Sequence, residues 1–325
     1  MKGRILVHGG AGAWKDEVVR EDRAIPALRH AVGAALAAME GGSAVDAVAE
    51  ALASLEESGV FNAGKGAYPN LDGDIELDAG LMDGTTLRAG AVAAVRSVPH
   101  PIRLARVVLE RTENVLVAGA GADQLARRFG LAGTLHPDAR CLREFDSKRR
   151  EYLGAGGHRW ARELLDRGRG TGEGDTVGAV AMDGEGKFAA GTTTGGLAFK
   201  IPGRVGDSPI VGHGYYAMRD AGAASTSGIG EAISRYGLSL RAVLRLGEGA
   251  PAQEAAKEEI AGLTALFGTG TAGIILLDRN GSPGVSFNTG GMAVAFGGEE
   301  ITPWVRILRK KEMKKFPGIL RGELR

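Results

Sequence analysis

The stretch TGEGDTVGAVAMDG, residues 171–184, changes character at a single position. A polar, glycine-rich run ends at Thr176, and an apolar strand begins at the next residue. A polar, glycine-rich segment directly before a threonine is either an ordinary loop or a site where the chain is cleaved. The two alternatives differ in chemistry, because only a cut releases the amine of Thr176.

A threonine at the N-terminus of a chain is a complete nucleophilic unit. Its hydroxyl attacks, and its own α-amine, with a reference pKa of about 7.7–8.0, takes the proton. Freeing that amine requires cleavage of the bond between Asp175 and Thr176. The competing interpretation is a threonine that merely favours the start of a strand.

Composition restricts the class of protein. The 325 residues carry 40 basic and 39 acidic side chains, and this net charge of +1 gives no reason to expect a nucleic acid or a membrane as partner. No apolar run reaches the length of a membrane span. The one cysteine, Cys141, excludes a disulfide within the chain and predicts a reducing, cytoplasmic location. Abundant arginine with scarce asparagine and glutamine is compatible with a thermophilic source.

Apolar patterns predict helices and strands in both halves of the chain. Ser43 and Asp46 have nearly the pattern of a capping box, and residues 183–186 have the composition of a hairpin turn. The predicted helices span 21–42, 43–59, 101–111, 122–130, 230–246 and 251–267. The predicted strands span 4–10, 74–84, 87–98, 114–119, 176–183, 187–194, 221–228, 271–278, 283–289 and 292–297. Hairpins beside helix pairs favour an α+β fold in which helices cover the sheets.

Two glycine-rich motifs resemble nucleotide-binding loops without completing them. GVFNAGKG, residues 59–66, begins like a phosphate-binding loop, but Gly66 replaces the hydroxyl that should follow the lysine. AGAGAD, residues 118–123, has two of the three glycines of a dinucleotide fingerprint, which is more typical of a plain turn. The six histidines show no metal-ligand spacing, and no G-x-S-x-G motif is present.

The stretch GTTTGGLAFKIPGRVGDSP, residues 191–209, combines hydroxyls with two opposite charges. Arg204 is suited to bind a carboxylate with two hydrogen bonds, and Asp207 is suited to bind an ammonium group. Together they would hold the zwitterionic end of an amino acid. The alternative is an ion pair on the protein surface, which this stretch alone does not exclude.

Eight short motifs in order along the chain resemble those of the plant-type asparaginases, also called isoaspartyl peptidases, of the N-terminal nucleophile hydrolases. The motifs are HGGAGAW, FNAGKGAY, ELDAGLMDG, DTVGAVA, TTTGG, PGRVGDSP, GIGE and FNTGGM. Each is short, but their common order over about residues 5–296 makes the resemblance specific.

The resemblance implies an α+β fold arranged as a four-layer αββα sandwich, made by a precursor that cuts itself before Thr176. Residues 1–175 would form an α subunit, and residues 176–325 a β subunit. Two such αβ units would pair. Composition, and not the resemblance, predicts helical pieces and a mobile linker in the charged segment of about 138–175. The basic end, about 297–325, extends past the resemblance, and its charges predict a solvated helix or a disordered tail.

The resemblance also implies the chemistry. Thr176 would attack the side-chain amide of asparagine, or the isopeptide carbonyl of a β-aspartyl dipeptide, and water would release aspartate from the resulting ester. Thr194 would hydrogen-bond near the nucleophile, and Asn62 would help to position it. The hydroxyl of Ser227 and the N–H of Gly228 would stabilise the oxyanion.

The same resemblance assigns the substrate's charged end. Arg204 would bind the α-carboxylate and Asp207 the α-ammonium group, with help from the backbone of Gly228 and Gly230. Asparagine and β-aspartyl dipeptides present the same aspartyl end, so these residues do not rank the two substrates.

No cofactor is expected, except that a structural sodium ion would stabilise the loop before Asn62. The resemblance places this ion on backbone carbonyls, which leave no side-chain signature. The carbonyls belong to Leu55, Glu56, Ser58, Phe61, Ala63 and Lys65.

Two residues, Ser227 and Asp175, depart from the family pattern, and three alternatives stay open. The oxyanion hydroxyl is usually that of a threonine, so Thr226 takes this role if the alignment that selects Ser227 is off by one. Asp175 stands where this branch of the family often has glycine, and aspartate there resembles the glycosylasparaginase and threonine-aspartase branches, which favours hydrolysis of a glycosylated asparagine. The motif FNAGKG resembles the asparaginase branch instead. A third alternative is an uncut binder of amino acids or nucleotides that performs no catalysis.

Overall fold

A computed structural model of the chain describes residues 2–14, 18–135, 176–198 and 200–310. The helices described are α1 (Val18–Met39), α2 (Ala44–Ser58), α3 (Pro101–Arg111), α4 (Gly119–Arg128), α5 (Gly230–Tyr236), α6 (Leu238–Gly247) and α7 (Ala252–Phe267). A 3-10 turn spans Gly64–Gly66. The first six strands are β1 (Arg4–Gly12), β2 (Leu77–Asp83), β3 (Ala89–Val95), β4 (Leu116–Ala118), β5 (Val177–Met182) and β6 (Phe188–Thr194). The others are β7 (Tyr215–Met218), β8 (Gly222–Gly228), β9 (Ala272–Asp278), β10 (Pro283–Phe287), β11 (Gly291–Gly298) and β12 (Ile301–Arg309).

The prediction of a mixed α+β fold is confirmed. None of the helices that the structure describes is long and apolar enough to cross a membrane. The whole predicted linker of about 138–175, which includes Cys141 and Asp175, and the last fifteen residues of the predicted tail lie outside the described residues.

The strands form two sheets. One has eight strands in the order β12-β11-β1-β5-β6-β2-β3-β4, and the other has four in the order β10-β9-β8-β7. All neighbouring strands are antiparallel except β3 and β4. The predicted hairpin of β5 and β6 is confirmed, and its turn closes with a hydrogen bond of 3.0 Å from the Gly186 N–H to the Asp183 carbonyl. This order places β5 near the middle of the larger sheet.

Three apolar clusters hold these elements together. One joins α1, α2 and α3 to the larger sheet, with Leu28, Leu52 and Ile102 fully buried. Another joins the two sheets, with Leu6 of the larger sheet and Ile275 of the smaller one both fully buried. The last joins α6 and α7 to the smaller sheet. Burial of apolar area is the main favourable term in folding, so these three clusters stabilise the fold.

Local signals place most of the helix ends. The capping box of α2 is confirmed, because the Ser43 hydroxyl accepts from the Asp46 N–H and the Asp46 carboxylate accepts from the Ser43 N–H. The single helix predicted over 230–246 is wrong. Gly237 adopts a left-handed conformation with φ 71°, which ends α5 and begins α6.

The prediction of a solvated helix or a disordered tail from residue 297 is wrong over β12. This strand pairs with β11, and Val305 and Ile307 are buried on either side of the exposed Arg306. Alternation of apolar and polar residues is typical of a half-buried strand, and the many basic residues of the segment concealed it. The sequence prediction also omitted β7, which has only four residues.

Candidate active site

Thr176 lies directly before β5 and is 4% exposed. β5 pairs with β1 on one side and with β6 on the other. A strand with two neighbours is held along both edges by backbone hydrogen bonds, which fixes the position of the residue at its start. The sheet therefore presents Thr176 at a defined place.

A pocket opens beside Thr176. Its walls come from the end of β6, from the segment between β6 and β7, and from the junction of β8 with α5. The residues that line it with Thr176 are Thr194, Gly196, Leu197, Arg204, Gly206, Asp207, Ser208, Gly228 and Gly230. Six residues predicted from the sequence thus meet in one pocket: Thr176, Thr194, Arg204, Asp207, Gly228 and Gly230.

Ser208 is a neighbour of the nucleophile that the sequence analysis missed. Its hydroxyl oxygen is 3.5 Å from Oγ1 of Thr176. Its backbone carbonyl accepts a hydrogen bond of 2.6 Å from the hydroxyl of Thr192 on β6. The sequence feature that could have identified Ser208 is its position directly after Asp207 in the motif GDSP. Thr194 lines the same pocket, and its hydroxyl accepts from the Gly196 N–H at 2.9 Å.

His8 lies against the nucleophile from the β1 side. Its Nε2 is 3.0 Å from the hydroxyl oxygen of Ser225, and its ring has a polar contact with the main chain of Thr176. Complete burial lowers the pKa of His8 to about 3, although the Thr176 contact raises it. The ring is therefore neutral at pH 7 and is a poor acceptor for the proton of a hydroxyl.

Arg204 enters the pocket with part of its guanidinium group already engaged. Nε and Nη2 donate to the two carboxylate oxygens of Glu231 at 2.9 and 2.8 Å. Nη1 faces the glycine walls: a Cβ on Gly206 would lie 2.9 Å from it, and a Cβ on Gly196 would lie 3.5 Å from it. None of the residues that the structure describes accepts a hydrogen bond from Nη1, so this donor is free to meet an anion.

Asp207 is buried beside Arg204. Burial raises the pKa of its carboxyl group to about 6, while a hydrogen bond of 3.0 Å from the Thr226 hydroxyl and the charge of Arg204 lower it. The alternative of a surface ion pair between Arg204 and Asp207 is wrong, because Asp207 is 3% exposed and Arg204 pairs with Glu231. Glu231, in the motif GIGE, is a second residue that the sequence analysis did not assign.

Asn62 braces the wall of the pocket. Its side-chain NH2 donates to the Gly196 carbonyl at 2.5 Å, and its side-chain oxygen accepts from the Tyr68 N–H at 2.9 Å. The Gly195 N–H donates to the Asn62 carbonyl at 2.8 Å. These hydrogen bonds join the loop after α2 to the end of β6.

The two hydroxyls considered for the oxyanion position have different partners. The Ser227 oxygen accepts from the Ala11 N–H at 3.0 Å, so its own proton remains available. The Thr226 hydroxyl donates to Asp207 and also lies within hydrogen-bonding distance of the carbonyls of His213 and Gly214. Only Ser227 therefore keeps a hydrogen that is not already directed to one of these acceptors.

The loop predicted to hold sodium folds back onto the end of α2. A Cβ on Gly64, where φ is 53°, would lie 2.6 Å from the Glu56 carbonyl oxygen, so only glycine permits this approach. Three of the six predicted carbonyls, those of Leu55, Phe61 and Ala63, already accept one hydrogen bond within the loop. A carbonyl oxygen has two lone pairs, so these hydrogen bonds leave each of the three able to accept a second partner such as a cation. Within the described ranges, no group of three or more His, Cys, Asp or Glu side chains has the arrangement of a metal site.

Comparisons with known proteins identify the family of the chain. The Asparaginase family model matches residues 1–307. A plant-type L-asparaginase of Pyrobaculum calidifontis is 43% identical over 295 residues, which cover 90% of this chain and 96% of that protein. The plant-type L-asparaginase of Thermococcus kodakarensis is 41% identical over 294 residues, which cover 90% of this chain and 95% of that protein. An isoaspartyl peptidase of Salmonella typhimurium is 40% identical over 323 residues, which cover 95% of this chain and 99% of that protein. The chain belongs to the Asparaginase family.

Proposed function

We propose that this chain is a self-processing threonine amidohydrolase that converts L-asparagine into L-aspartate and ammonia and cleaves β-aspartyl dipeptides. One observation carries the proposal: a buried threonine at the start of a central strand shares a pocket with an arginine and an aspartate. The names of the relatives, L-asparaginase and isoaspartyl peptidase, support both substrates.

Processing creates the catalytic amine. The Thr176 hydroxyl attacks the carbonyl carbon of Asp175, and the bond from that carbon to the Thr176 nitrogen breaks, leaving an ester. Water then hydrolyses the ester, which gives an α subunit ending at residue 175 and a β subunit that begins with Thr176. This division of the chain rests on the family and on the sequence around Thr176.

The mature enzyme repeats the attack on its substrate. The freed amine of Thr176 takes the proton as Oγ1 bonds to the amide carbon, and the amide nitrogen leaves as ammonia or as the amine of the released amino acid. Water then cleaves the β-aspartyl ester. The amine is the base in this scheme because the nearby His8, with a pKa of about 3, is a poor proton acceptor.

Pocket groups bind the substrate around the reacting carbon. Nη1 of Arg204 binds the α-carboxylate, and Asp207 binds the α-ammonium group, with the backbone of Gly228 and Gly230 beside them. Ser227 and the Gly228 N–H stabilise the oxyanion, and loss of one such donor typically lowers the rate on the order of 100- to 1000-fold. The free proton of Ser227 supports it over Thr226 in this role.

Supporting residues hold this arrangement in place. Thr194 and Asn62 position the wall at Gly196. A sodium ion on the carbonyls of the loop before Asn62 would hold that loop by offsetting their dipoles, and it would take no part in the reaction. Family membership supports a four-layer αββα sandwich and a dimer of αβ units. A cytoplasmic location rests on the single cysteine of the sequence.

The first test is the intact mass of the purified protein, followed over time under denaturing conditions. We expect two pieces, one of which begins at Thr176. Thr176→Ala should remain a single inactive chain, while Thr171→Ala, a matched change in the same stretch, should be cut normally. Cleavage of Thr176→Ala at the normal rate would contradict the proposal.

Activity then separates the three candidate functions. Release of ammonia from asparagine, and of amino acid from β-aspartyl dipeptides, is the expected result. Much faster turnover of a glycosylasparagine would select the glycosylasparaginase alternative instead. Ligand binding by a stable uncut chain, without turnover, would favour the binder.

A further inference from the structure

A buried lysine lies behind the wall of the candidate active site. Lys200 is fully buried and follows the pocket residues Gly196 and Leu197 in the segment after β6. Burying an ammonium group is unfavourable unless it is paired, so a buried lysine calls for a specific explanation. Neither the substrate assignments nor the proposed catalytic steps use it.

The ammonium group of Lys200 lies against a glycine that lines the pocket. A Cβ on Gly196 would lie 3.1 Å from Nζ of Lys200 and 3.5 Å from Nη1 of Arg204. The two cations therefore approach the same point of the wall. Nη1 of Arg204 is the donor that Glu231 leaves free.

Two carboxylates accompany the lysine, and they differ in their other partners. Glu76 already accepts hydrogen bonds from Arg96 and from the Gly203 N–H at 2.7 and 2.9 Å. Asp78 is fully buried, and its Oδ1 accepts from the Ala94 N–H on β3 at 2.8 Å. Its Oδ2 has no hydrogen-bond partner among the described residues. Burial raises the pKa of Asp78 and the positive charge of Lys200 lowers it, so each of the two groups favours the charged form of the other.

The lysine keeps donor capacity beyond its one direct hydrogen bond. Nζ donates to the Glu76 carbonyl at 2.9 Å. An ammonium group has three N–H donors, and no other acceptor of direct hydrogen bonds from Nζ occurs in the described part of the chain. Burial lowers the pKa of Lys200, while the charges of Asp78 and Glu76 raise it and Arg204 lowers it further. The charges of Asp78 and Glu76 favour the ammonium form, and Nζ lies beside Gly196 at the end of the pocket that Arg204 serves.

We propose that Lys200 is a positioning residue that determines specificity, because its buried ammonium group adds a second positive charge to the carboxylate-binding end of the pocket. It acts from behind Gly196, through its field on the anion and on the placement of Arg204. The ligand it favours is an amino acid with a free α-carboxylate, over the same molecule with a neutral α-amide. The inference rests on the proposed function, because that function places the α-carboxylate at Arg204.

Binding measurements test this role without depending on turnover. Calorimetry gives the Kd of aspartate, which is the expected product, and of its neutral counterpart, aspartic acid α-amide, for the processed wild type and for Lys200→Met. Methionine keeps most of the length of the side chain and removes its charge. We expect the preference for aspartate to fall roughly tenfold or more, since a unit charge at this range is weakly screened inside a protein. The matched control is Lys187→Met, near the β5–β6 turn, which should leave the preference unchanged.

A second variant keeps the test valid if Lys200→Met does not fold. Lys200→Met combined with Asp78→Asn removes one positive and one negative charge together, and the other nearby carboxylate, Glu76, keeps its hydrogen bond from Arg96. It should show the same loss of preference. Equal weakening of both ligands, or an unchanged preference, would mean that Lys200 only supports the loop and would overturn the inference. The proposed function fails separately, if processed wild type does not hydrolyse asparagine or β-aspartyl dipeptides.

Discussion

At the scale of single residues, the pocket depends on charges held close to glycines. Arg204 and Asp207 both lie against Gly230: a Cβ there would lie 2.9 Å from Nη2 of Arg204 and from Oδ1 of Asp207. Gly230 is not in the left-handed region, so glycine is required here by the lack of room for a side chain and not by the backbone conformation. The same two side chains are those assigned to the charged end of the substrate.

Gly230→Ala should therefore displace Arg204 and Asp207 and weaken binding. We expect KM for asparagine to rise roughly tenfold, equivalent to about 1.4 kcal/mol of binding free energy. The effect on the free energy of unfolding, followed through the melting temperature, should be much smaller. Steady-state kinetics and thermal unfolding measure the two quantities. The matched control is Gly33→Ala in α1, where a Cβ would meet nothing within 4 Å. An unchanged KM in Gly230→Ala would show that the pocket accommodates the methyl group.

Asp207 should make binding dependent on pH. Its carboxyl group has a pKa of about 6, so it is an anion above this pH and becomes neutral below it. An ammonium group is attracted by the anion only, so the affinity for aspartate should fall as the pH drops through about 6. The inhibition constant of aspartate between pH 5 and 8 measures this dependence. Asp207→Asn should bind more weakly with a flatter profile; the same acid dependence in that variant would assign it to another group.

At the scale of elements, the break between α5 and α6 is set by one backbone conformation. Gly237 has φ 71°, and a Cβ added there would meet nothing within 4 Å, so space does not restrict this position. A side chain there is strained by the left-handed conformation alone. The helix break in turn limits α5 to a short element whose start, with Gly230 and Glu231, lies at the pocket.

Gly237→Ala should destabilise the fold by about 1 kcal/mol, because alanine disfavours a positive φ. Gly33→Ala, inside α1, should instead stabilise it by up to about 1 kcal/mol, since alanine is the better helix former. Denaturant unfolding of the two variants and the wild type compares these free energies. Stabilisation by Gly237→Ala would mean that the two helices can join without the left-handed residue.

At the scale of the whole molecule, the proposed cut separates segments that remain interleaved. β1 lies between β5 and β11, and β2 pairs with β6, so three ladders join residues before the cut to residues after it. These ladders and the apolar clusters around them do not depend on the peptide bond before Thr176.

The two pieces should therefore remain associated after cleavage. Native mass spectrometry or size exclusion of fully processed protein should show both pieces in one particle, and only denaturant should separate them. The uncut Thr176→Ala chain supplies the reference for size. Separation of the pieces under native conditions would contradict the interleaved arrangement.

Local sequence was enough to establish the family, the mixed α+β class and most of the helices and strands. Ordered motifs, the apolar periods and the capping box of α2 are properties of residues near each other in the chain, so local chemistry places them. The same reasoning identified six residues that meet in the pocket, because each stands in a short motif with recognisable chemistry.

Which distant groups face each other was settled by tertiary contacts instead. Glu231 pairs with Arg204 across 27 residues, and His8 reaches Ser225 across 217. Burial likewise exists only in the folded molecule: it raises the pKa of Asp207 to about 6 and lowers that of His8 to about 3. Desolvation and contacts between segments far apart in the chain have no counterpart in local sequence, which is why the sequence alone could not predict these pKa shifts or the pairing of Arg204 with Glu231.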